Sequence, residues 1–355
     1  MSKYISKCYV VRSLPLVRDS RLQRYNEFLD EDVVYITWED HDKCNKFLRF
    51  GRKDYHLVIS YPLFLLRLFV LSLFKMRKQD KVICMDLDTY IPIKLAGMFK
   101  RIKIYLDIVD PIAETKFRNF AYPKLFDWIE CFIVSKSSRV ILPGKSRIDY
   151  YLDKLSLTSL TLSTTPLICE NVPKINRSDK FPVFNENSNN GIRIGYFGSL
   201  DDTRGILELI GFFKNRPDFR ILIAGMGSLD DKIKQLSTEI DNLTFLGKYE
   251  PVEIQRLYSY VDFVWAYYSP EVFLHKYACP NKYYEHLAFK VPIIVNEIIP
   301  QSQKILQMNT GIVIDNELDD NCFSKMSDMI LNYSYQLSDF DVWEKEYSNY
   351  SFSID

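Results

Sequence analysis

The chain has 355 residues, with 46 Lys and Arg against 46 Asp and Glu, so its formal net charge is zero. A content of 47% hydrophobic and 26% charged residues is that of an ordinary globular protein and excludes a mainly disordered chain. Twelve Gly and fifteen Pro exclude collagen-like and low-complexity classes, and the balanced charge argues against a uniformly basic nucleic-acid binder.

Single hydrophobic cores stop growing beyond about 250–300 residues, so the length suggests two domains. The zero also hides a polarity. Residues 43–103 hold fourteen basic residues against four acidic ones, whereas 315–355 hold two against ten. The seven Cys (8, 44, 84, 131, 169, 279 and 322) have no zinc-ligand or CxxC spacing, and most sit in apolar runs. This pattern fits reduced thiols in a cytoplasm. The start, MSKYISKCYVVRS, has too short an apolar run for a signal peptide.

In chain order, apolar β-rich runs fall at Cys8–Val11, Val33–Thr37, Lys81–Met85, Lys103–Leu106 and Arg139–Leu142. Between them the pattern predicts helices at 20–29, 61–76, 90–99, 122–136 and 145–154. The run Tyr61–Met76 is the most apolar in the chain and is interrupted by Arg67. It is shorter than the ~20 residues of a membrane span. It reads either as a buried helix or as a helix dipping into a bilayer surface, with Lys75, Arg77, Lys78 and Lys81 at the headgroups.

Residues 166–190 carry three Pro with many Asn and Ser and read as a linker. Alternation then restarts. Strands are expected at Ile192–Gly198, Arg220–Ala224, Leu243–Leu246, Phe263–Ala266, Pro292–Val295 and Gly311–Ile314. Helices are expected at 204–214, 229–240, 251–260, 281–289, 300–308 and 320–334, with a last one over Leu337–Asn349. The fold class is therefore α/β: two Rossmann-like, doubly wound parallel-sheet domains facing across a cleft. The expected boundaries are 1–165, a linker at 166–190, 191–335, and a C-terminal helix in 336–355 packing back on the first domain.

In such sheets chemistry sits beyond the carboxyl ends of the strands. Gly225-Met226-Gly227 lacks the third glycine of a dinucleotide fingerprint, since position 230 is Asp. Gly144-Lys145-Ser146 lacks the first glycine of a phosphate loop, since position 139 is Arg. Asp86 and Asp88 have no nearby His or second acidic cluster, so no metal site is expected. In GYFGSLDDTRG, however, Gly198 and Ser199 end a strand and Arg204 opens a helix, which suits a phosphate. LIAGMGS adds Gly225 and Gly227 in a second strand-to-helix loop, and FLGKYEP adds Lys248 in a third. In ACPNKYYEHLAFKVPIIV, Pro280 fits a helix start, followed by Asn281. Lys282 then falls in the first turn, where a cation needs an anion nearby. Glu285 lies on the same face, able to accept from a ribose diol. Read alone, Lys282 and Glu285 are equally a surface pair, and His275 and His286 are ordinary polar residues.

Together, YFGSL…RG, LIAGMGS, NLTFLGKY, LYSYVDFVWAYY, PNKYYEHLAFKVPIIV and TGIVI resemble the donor domain of GT-B fold glycosyltransferases. They are most similar to the large retaining, family-4-type (glycosyl transferases group 1) enzymes of bacterial surface-polysaccharide synthesis. The match covers about residues 191–314, and RSLPLVRDSRLQRYNEFL and MDLDTYIPIKLAG…IYLDIVDP resemble the first domain in outline. The resemblance implies that Glu285 holds the nucleotide ribose, that Arg204 lies by the donor diphosphate, and that Gly198 and Ser199 face the phosphates. It implies that Asn281 and Lys282 meet the donor at the helix start, and that Lys248 contacts the base. Where the family often has a Glu and an Arg, this chain has Tyr277 and Ser199.

The expected function is transfer of a sugar from a UDP- or GDP-linked donor to a hydroxyl of a glycan acceptor, such as a polyprenyl-diphosphate-linked one, in capsule, O-antigen or exopolysaccharide synthesis. The expected reaction is metal-independent and retaining, with no cofactor beyond the nucleotide sugar. Arg204 and Lys282 would stabilise the leaving diphosphate. An acceptor base, if one is required, would come from Asp19, Asp107, Asp110 or Glu114, with Asp110 preferred and Asp19 next. The expected location is cytoplasmic, peripheral at the inner face of the membrane through 61–81, with no nucleic-acid partner. A nucleotide-sugar epimerase and a non-catalytic partner subunit are the alternatives.

Overall fold

A computed structural model describes residues 6–14, 19–29, 33–38, 57–115, 122–173 and 191–354. The chain divides into two compact units, 1–170 with 351–355, and 171–350. The basic residues of 43–56, Cys44 and positions 174–190 of the expected linker lie outside the described residues.

The first unit holds β1 (Cys8–Arg12), β2 (Val33–Thr37), β3 (Lys81–Met85), β4 (Lys103–Asp107), β5 (Val140–Leu142) and β6 (Leu167–Ile168). Its helices are α1 (Ser20–Phe28), α2 (Leu57–Phe74), α3 (Leu87–Lys100), α4 (Pro123–Lys136) and α5 (Lys145–Ser156). The sheet is parallel, in the order β2-β1-β3-β4-β5-β6. Nearly every residue of β1, β3, β4 and β5 is buried, which is why they read as continuous apolar runs rather than alternating ones. β6 corrects the expected linker: Leu167 and Ile168 pair with Ile141 and Leu142 and extend the sheet.

A buried ion pair ties α1 to this sheet. Arg21 Nε and Nη2 donate to the two Asp107 oxygens at 2.8 and 2.7 Å, and Tyr25 Oη donates to Asp107 Oδ2 at 2.7 Å. Asp107 is 0% exposed, so this bonding excludes it as an acceptor base. The segment 351–354 closes the same unit, with Phe352 edge-on to Tyr25 and Lys81 Nζ donating to the Ile354 carbonyl at 2.9 Å.

The second unit holds β7 (Ile192–Leu200), α6 (Ile206–Phe213), β8 (Phe219–Gly227), α7 (Asp230–Glu239), β9 (Leu243–Gly247) and α8 (Ile254–Tyr258). It continues with β10 (Phe263–Ala266), α9 (Asn281–Phe289), β11 (Ile293–Asn296), α10 (Ser302–Gln307), β12 (Gly311–Ile314) and α11 (Asp320–Leu331). Its parallel sheet has the order β12-β11-β10-β7-β8-β9. Trp265, Phe213, Phe323 and Ile294 anchor the core between this sheet and its helices.

Three expected helices are shorter or divided. The helix expected at 204–214 begins as a 3-10 turn over Asp202–Arg204, because Asp201 accepts from Thr203 N, and α6 starts only at Ile206. The one at 251–260 divides into a 3-10 turn at Pro251–Glu253 and the short α8. Leu337–Asn349 is not a continuous helix but a 3-10 turn at Leu337–Phe340 and a π turn at Trp343–Tyr347. These turns pack within the second unit: Tyr347 lies edge-on to Tyr284, and Lys304 pairs with Glu346 at 2.7 Å.

Candidate active site

In the second sheet the chain order reverses between β7 and β10. Loops leaving the two strands there run in opposite directions and leave a crevice, the usual place for a ligand in an open parallel sheet. A cavity of about 190 Å³ occupies it. The end of β7 supplies Tyr196, Phe197, Gly198 and Ser199, and the turn after it supplies Arg204. Tyr249 follows β9, Tyr268 follows β10, and Asn281, Lys282 and Glu285 come from the start of α9.

Pro280, at the N-cap of α9, offers no side-chain cap to the first-turn amides. Those donors, and the positive end of the helix dipole, suit an anion. Lys282 adds a full charge at the same end. Its Nζ lies 4.7 Å from the centroid of the Tyr196 ring. Gly198 has φ +146°, a conformation that favours glycine, and a methyl group there would come within 2.9 Å of that nitrogen and push the ammonium aside. Burial lowers the Lys282 pKa to about 8, with Glu285 opposing the shift and Arg204 adding to it. A diphosphate placed here would restore the proton that burial weakens.

Arg204 faces the cavity with its guanidinium 4.6 Å from the Tyr268 centroid and its Nε 3.5 Å from Asp201 Oδ2. Trp265 Nε1 donates to the Arg204 carbonyl at 2.8 Å and fixes the turn. Glu285 is 9% exposed and accepts from Tyr258 Oη at 3.1 Å. Burial, then the Glu285 charge, holds the Tyr258 and Tyr249 hydroxyls protonated, with raised pKa values.

The structure thus brings Gly198, Ser199, Arg204, Asn281, Lys282 and Glu285 together around one cavity. It places three other expected donor residues outside that lining. Gly225 packs against β7: a methyl there would meet the Gly198 carbonyl oxygen at 1.8 Å. Gly227 pairs with Leu200 across the strands, and its N–H donates to Asp230 Oδ1 at 2.7 Å. Lys248 pairs with Glu250 at 3.0 Å and lines a separate groove with Arg220, Arg256 and Tyr260 on the β8–β9 side. Tyr196, Phe197, Tyr249 and Tyr268 line the site without having been singled out from sequence. For Tyr249 and Tyr268 the hint was an aromatic residue shortly after a strand, in GKY and AYY, whereas Tyr196 and Phe197 lie within β7. His286 is 0% exposed and its pKa is lowered to about 3 by burial, which makes it a neutral packing residue.

The acceptor-side candidates lie in the first unit. Asp110 is 54% exposed and pairs with the buried Arg147 at 3.2 Å. Asp19 caps α1 by accepting from Leu22 N at 3.0 Å and pairs with Arg12 Nε at 2.8 Å. Arg12 also bonds Asp86, which joins the loops after β1 and β3, where this sheet's order reverses. Glu114 pairs with Lys154 at 3.3 Å. Among the described residues no cluster of His, Cys, Asp and Glu is arranged to hold a metal.

Residues 191–332 match the profile of the family described as Glycosyl transferases group 1. No curated protein sequence matches the chain. Sucrose-phosphate synthase from Thermosynechococcus elongatus superposes with a TM-score of 0.65 at 12% identity, covering 96% of each chain. HepE from Anabaena, solved with UDP and glucose, gives 0.63 at 13% identity over 96% of this chain and 95% of its own. The E. coli trehalose-6-phosphate structure bound with UDP-2-fluoro glucose gives 0.62 at 12% identity over 96% of each. At such identities these likenesses establish the fold. Two doubly wound units with an anion-suited crevice in the second define the GT-B class. The chain thus has the GT-B fold and carries a glycosyl transferases group 1 domain over residues 191–332.

Proposed function

We propose that the protein moves a sugar from a UDP- or GDP-linked donor to a hydroxyl of a lipid-carried glycan in bacterial capsule, O-antigen or exopolysaccharide synthesis. The observation that carries this reading is the convergence of Arg204, Lys282 and the start of α9 on one cavity that Glu285 also lines. Glu285 accepts from the ribose hydroxyls, while the cations and amides hold the diphosphate. As the bond to the anomeric carbon breaks, negative charge grows on the leaving diphosphate, and Lys282 and Arg204 stabilise it. That charge supply supports a reaction without metal or further cofactor; retained configuration is proposed from the resemblance of residues 191–314 to the retaining group 1 enzymes. Asp110, exposed in the first unit, is the acid that would meet the acceptor hydroxyl. Residues 61–81 place the enzyme peripherally at the inner face of the cytoplasmic membrane, where a polyprenyl-diphosphate acceptor is presented. The neighbours solved with UDP and with UDP-2-fluoro glucose support a uridine donor over a guanosine one.

Calorimetric titration with UDP and GDP, followed by a donor panel scored for hydrolysis and transfer, tests the proposal. Glu285→Ala should weaken nucleoside diphosphate binding about 10- to 100-fold, the worth of a charge-assisted hydrogen bond. Unchanged affinity would remove Glu285 from the site. Absence of nucleotide binding by the intact protein would make it a non-catalytic subunit, and conversion of a nucleotide sugar without acceptor would make it an epimerase.

A further inference from the structure

Crossovers from β2 to β3, β3 to β4, β4 to β5 and β5 to β6 all run the same way across the first sheet. Such crossovers are right-handed, so α2, α3 and α4, followed by α5, cover one face of it. Helices in that position ordinarily bury an apolar stripe and turn a polar one outward. The first three are apolar on both sides. α2 buries Phe64 and Leu68 yet exposes Leu66, Val70 and Phe74, a stripe at helical spacing. α3 buries Ile93 and Ala96 yet exposes Leu95, Met98 and Phe99. α4 exposes Leu125, Trp128 and Phe132, with the last two rings stacked at 5.6 Å.

The most exposed of these side chains are Phe74, Met98 and Phe99, at 80, 73 and 77%. They sit at the C-terminal ends of α2 and α3, where Lys75, Arg77, Lys78, Arg101 and Lys103 are also exposed. Among residues 61–103 no acidic side chain is exposed. Asp80 and Asp86 are buried, and Asp88 accepts from Ser13 and Tyr61. Apolar side chains thus project from a rim of one sign.

We propose that this three-helix face docks the first unit on an anionic lipid bilayer, with Phe74, Met98 and Phe99 entering the interface and the adjacent cations meeting headgroup phosphates. This deepens the membrane-borne acceptor of the proposed function and rests on it, adding α3 and α4 to the stretch 61–81. The charge favours an anionic bilayer over a second copy as occupant, because a two-fold contact would bring two patches of the same sign together. No described helix is long and apolar enough to cross a membrane, so the contact is interfacial. Trp128 on α4 is the type of side chain that anchors at headgroup depth.

The test uses the full chain with vesicles of phosphatidylcholine alone and of phosphatidylcholine with phosphatidylglycerol. Flotation with the mixed vesicles, weakened by salt and by omission of the anionic lipid, is the expected result. Lys75→Glu with Lys78→Glu should reduce partitioning about 25-fold or more, at about fivefold for each cation lost. Phe74→Ser with Phe99→Ser should abolish flotation at both compositions. All four positions are exposed, so UDP and GDP affinity should be unchanged and serves as the control for folding. Normal flotation by both variants, or none by the wild type, overturns the proposal. A concentration-dependent dimer lost in the Phe74, Phe99 variant, without vesicle binding, assigns the face to a second copy instead. Failure of flotation with nucleotide binding intact refutes only the docking face, whereas absent nucleotide binding with normal flotation refutes only the donor reading.

Discussion

Lys282→Met removes a cation that the site holds against its own desolvation. The fall in pKa from 10.5 to about 8 corresponds to about 3 kcal/mol of strain on the protonated form at neutral pH. A group whose folded pKa lies below its unfolded value binds fewer protons in the native state between the two, so stability rises with pH across that window. The wild type therefore carries the full penalty below about pH 8 and loses it by about pH 10.5. Methionine keeps the length of the side chain and drops the charge. At pH 7 the variant should be the more stable protein by up to about 3 kcal/mol, an increase of about 6–12 °C in Tm for a unit of this size. The gap should be constant below pH 8 and close toward pH 10.5. Nucleoside diphosphate affinity should move the other way, falling about 10- to 100-fold at pH 7. In the wild type it should decline as pH rises above 8, while the variant stays flat. Urea unfolding across pH, with calorimetric binding of UDP and GDP, reads both. A variant less stable than wild type at pH 7, or one that binds nucleotide equally well, would refute the assignment of Lys282 as a cation held in reserve for an anion.

Three further substitutions probe the scaffold. Gly225→Ala sets a methyl 1.8 Å from the Gly198 carbonyl oxygen and should cost about 2–4 kcal/mol in urea unfolding by parting β7 from β8; a loss under about 1 kcal/mol would show that the strands yield easily. Asp107→Asn leaves Arg21 as a buried charge without its counter-ion, so a loss of about 3–5 kcal/mol is expected by the same assay, and a neutral result would mean the pair is dispensable. Burial raises the Glu130 pKa to about 7, with bonds from Tyr151 Oη and Ile112 N opposing the shift. Its raised folded pKa contributes stability that is complete below about pH 4.5 and lost as pH rises through 7. Glu130→Gln should flatten that dependence, and an unchanged pH profile of unfolding would count against it.

The strands were readable because a parallel sheet covered on both faces needs apolar residues at every position, as in Val140–Leu142 and Ile293–Asn296. Elements set by one or two local bonds were not. β6 is two residues long in a Pro- and Ser-rich stretch, and the break before α6 depends on Asp201 capping Thr203. Within the site, Arg204, Lys282 and Glu285 were legible because charge at a helix start needs a reason. Tyr196, Tyr249 and Tyr268 carry no such signal in a chain with 24 Tyr and 24 Phe. Gly225 shows a different limit: sequence signals that something approaches closely at a glycine but does not say whether that is a ligand or, as here, the neighbouring strand.

The two charged ends of the chain differ in physics as well as sign. Acids of the C-terminal stretch are used locally within the second unit. Asp319 caps α11 through Cys322 N, Asp315 lies 3.7 Å from Lys325, Asp339 accepts from Gln336 N and Asn309, and Glu346 pairs with Lys304. A carboxylate at a helix start or beside a lysine is compensated where it stands and projects little field. The exposed cations at the ends of α2 and α3 have no exposed acid among them within 61–103. Their field adds up over one face, and beside it stand three of the most exposed apolar side chains of the unit. Neither feature alone requires a partner, since cations are solvated freely and single exposed apolar residues are common. Together they are costly to leave in water and complementary to a surface with an apolar interior and an anionic skin. That is why the balanced total charge of the chain conceals an asymmetry with a physical consequence.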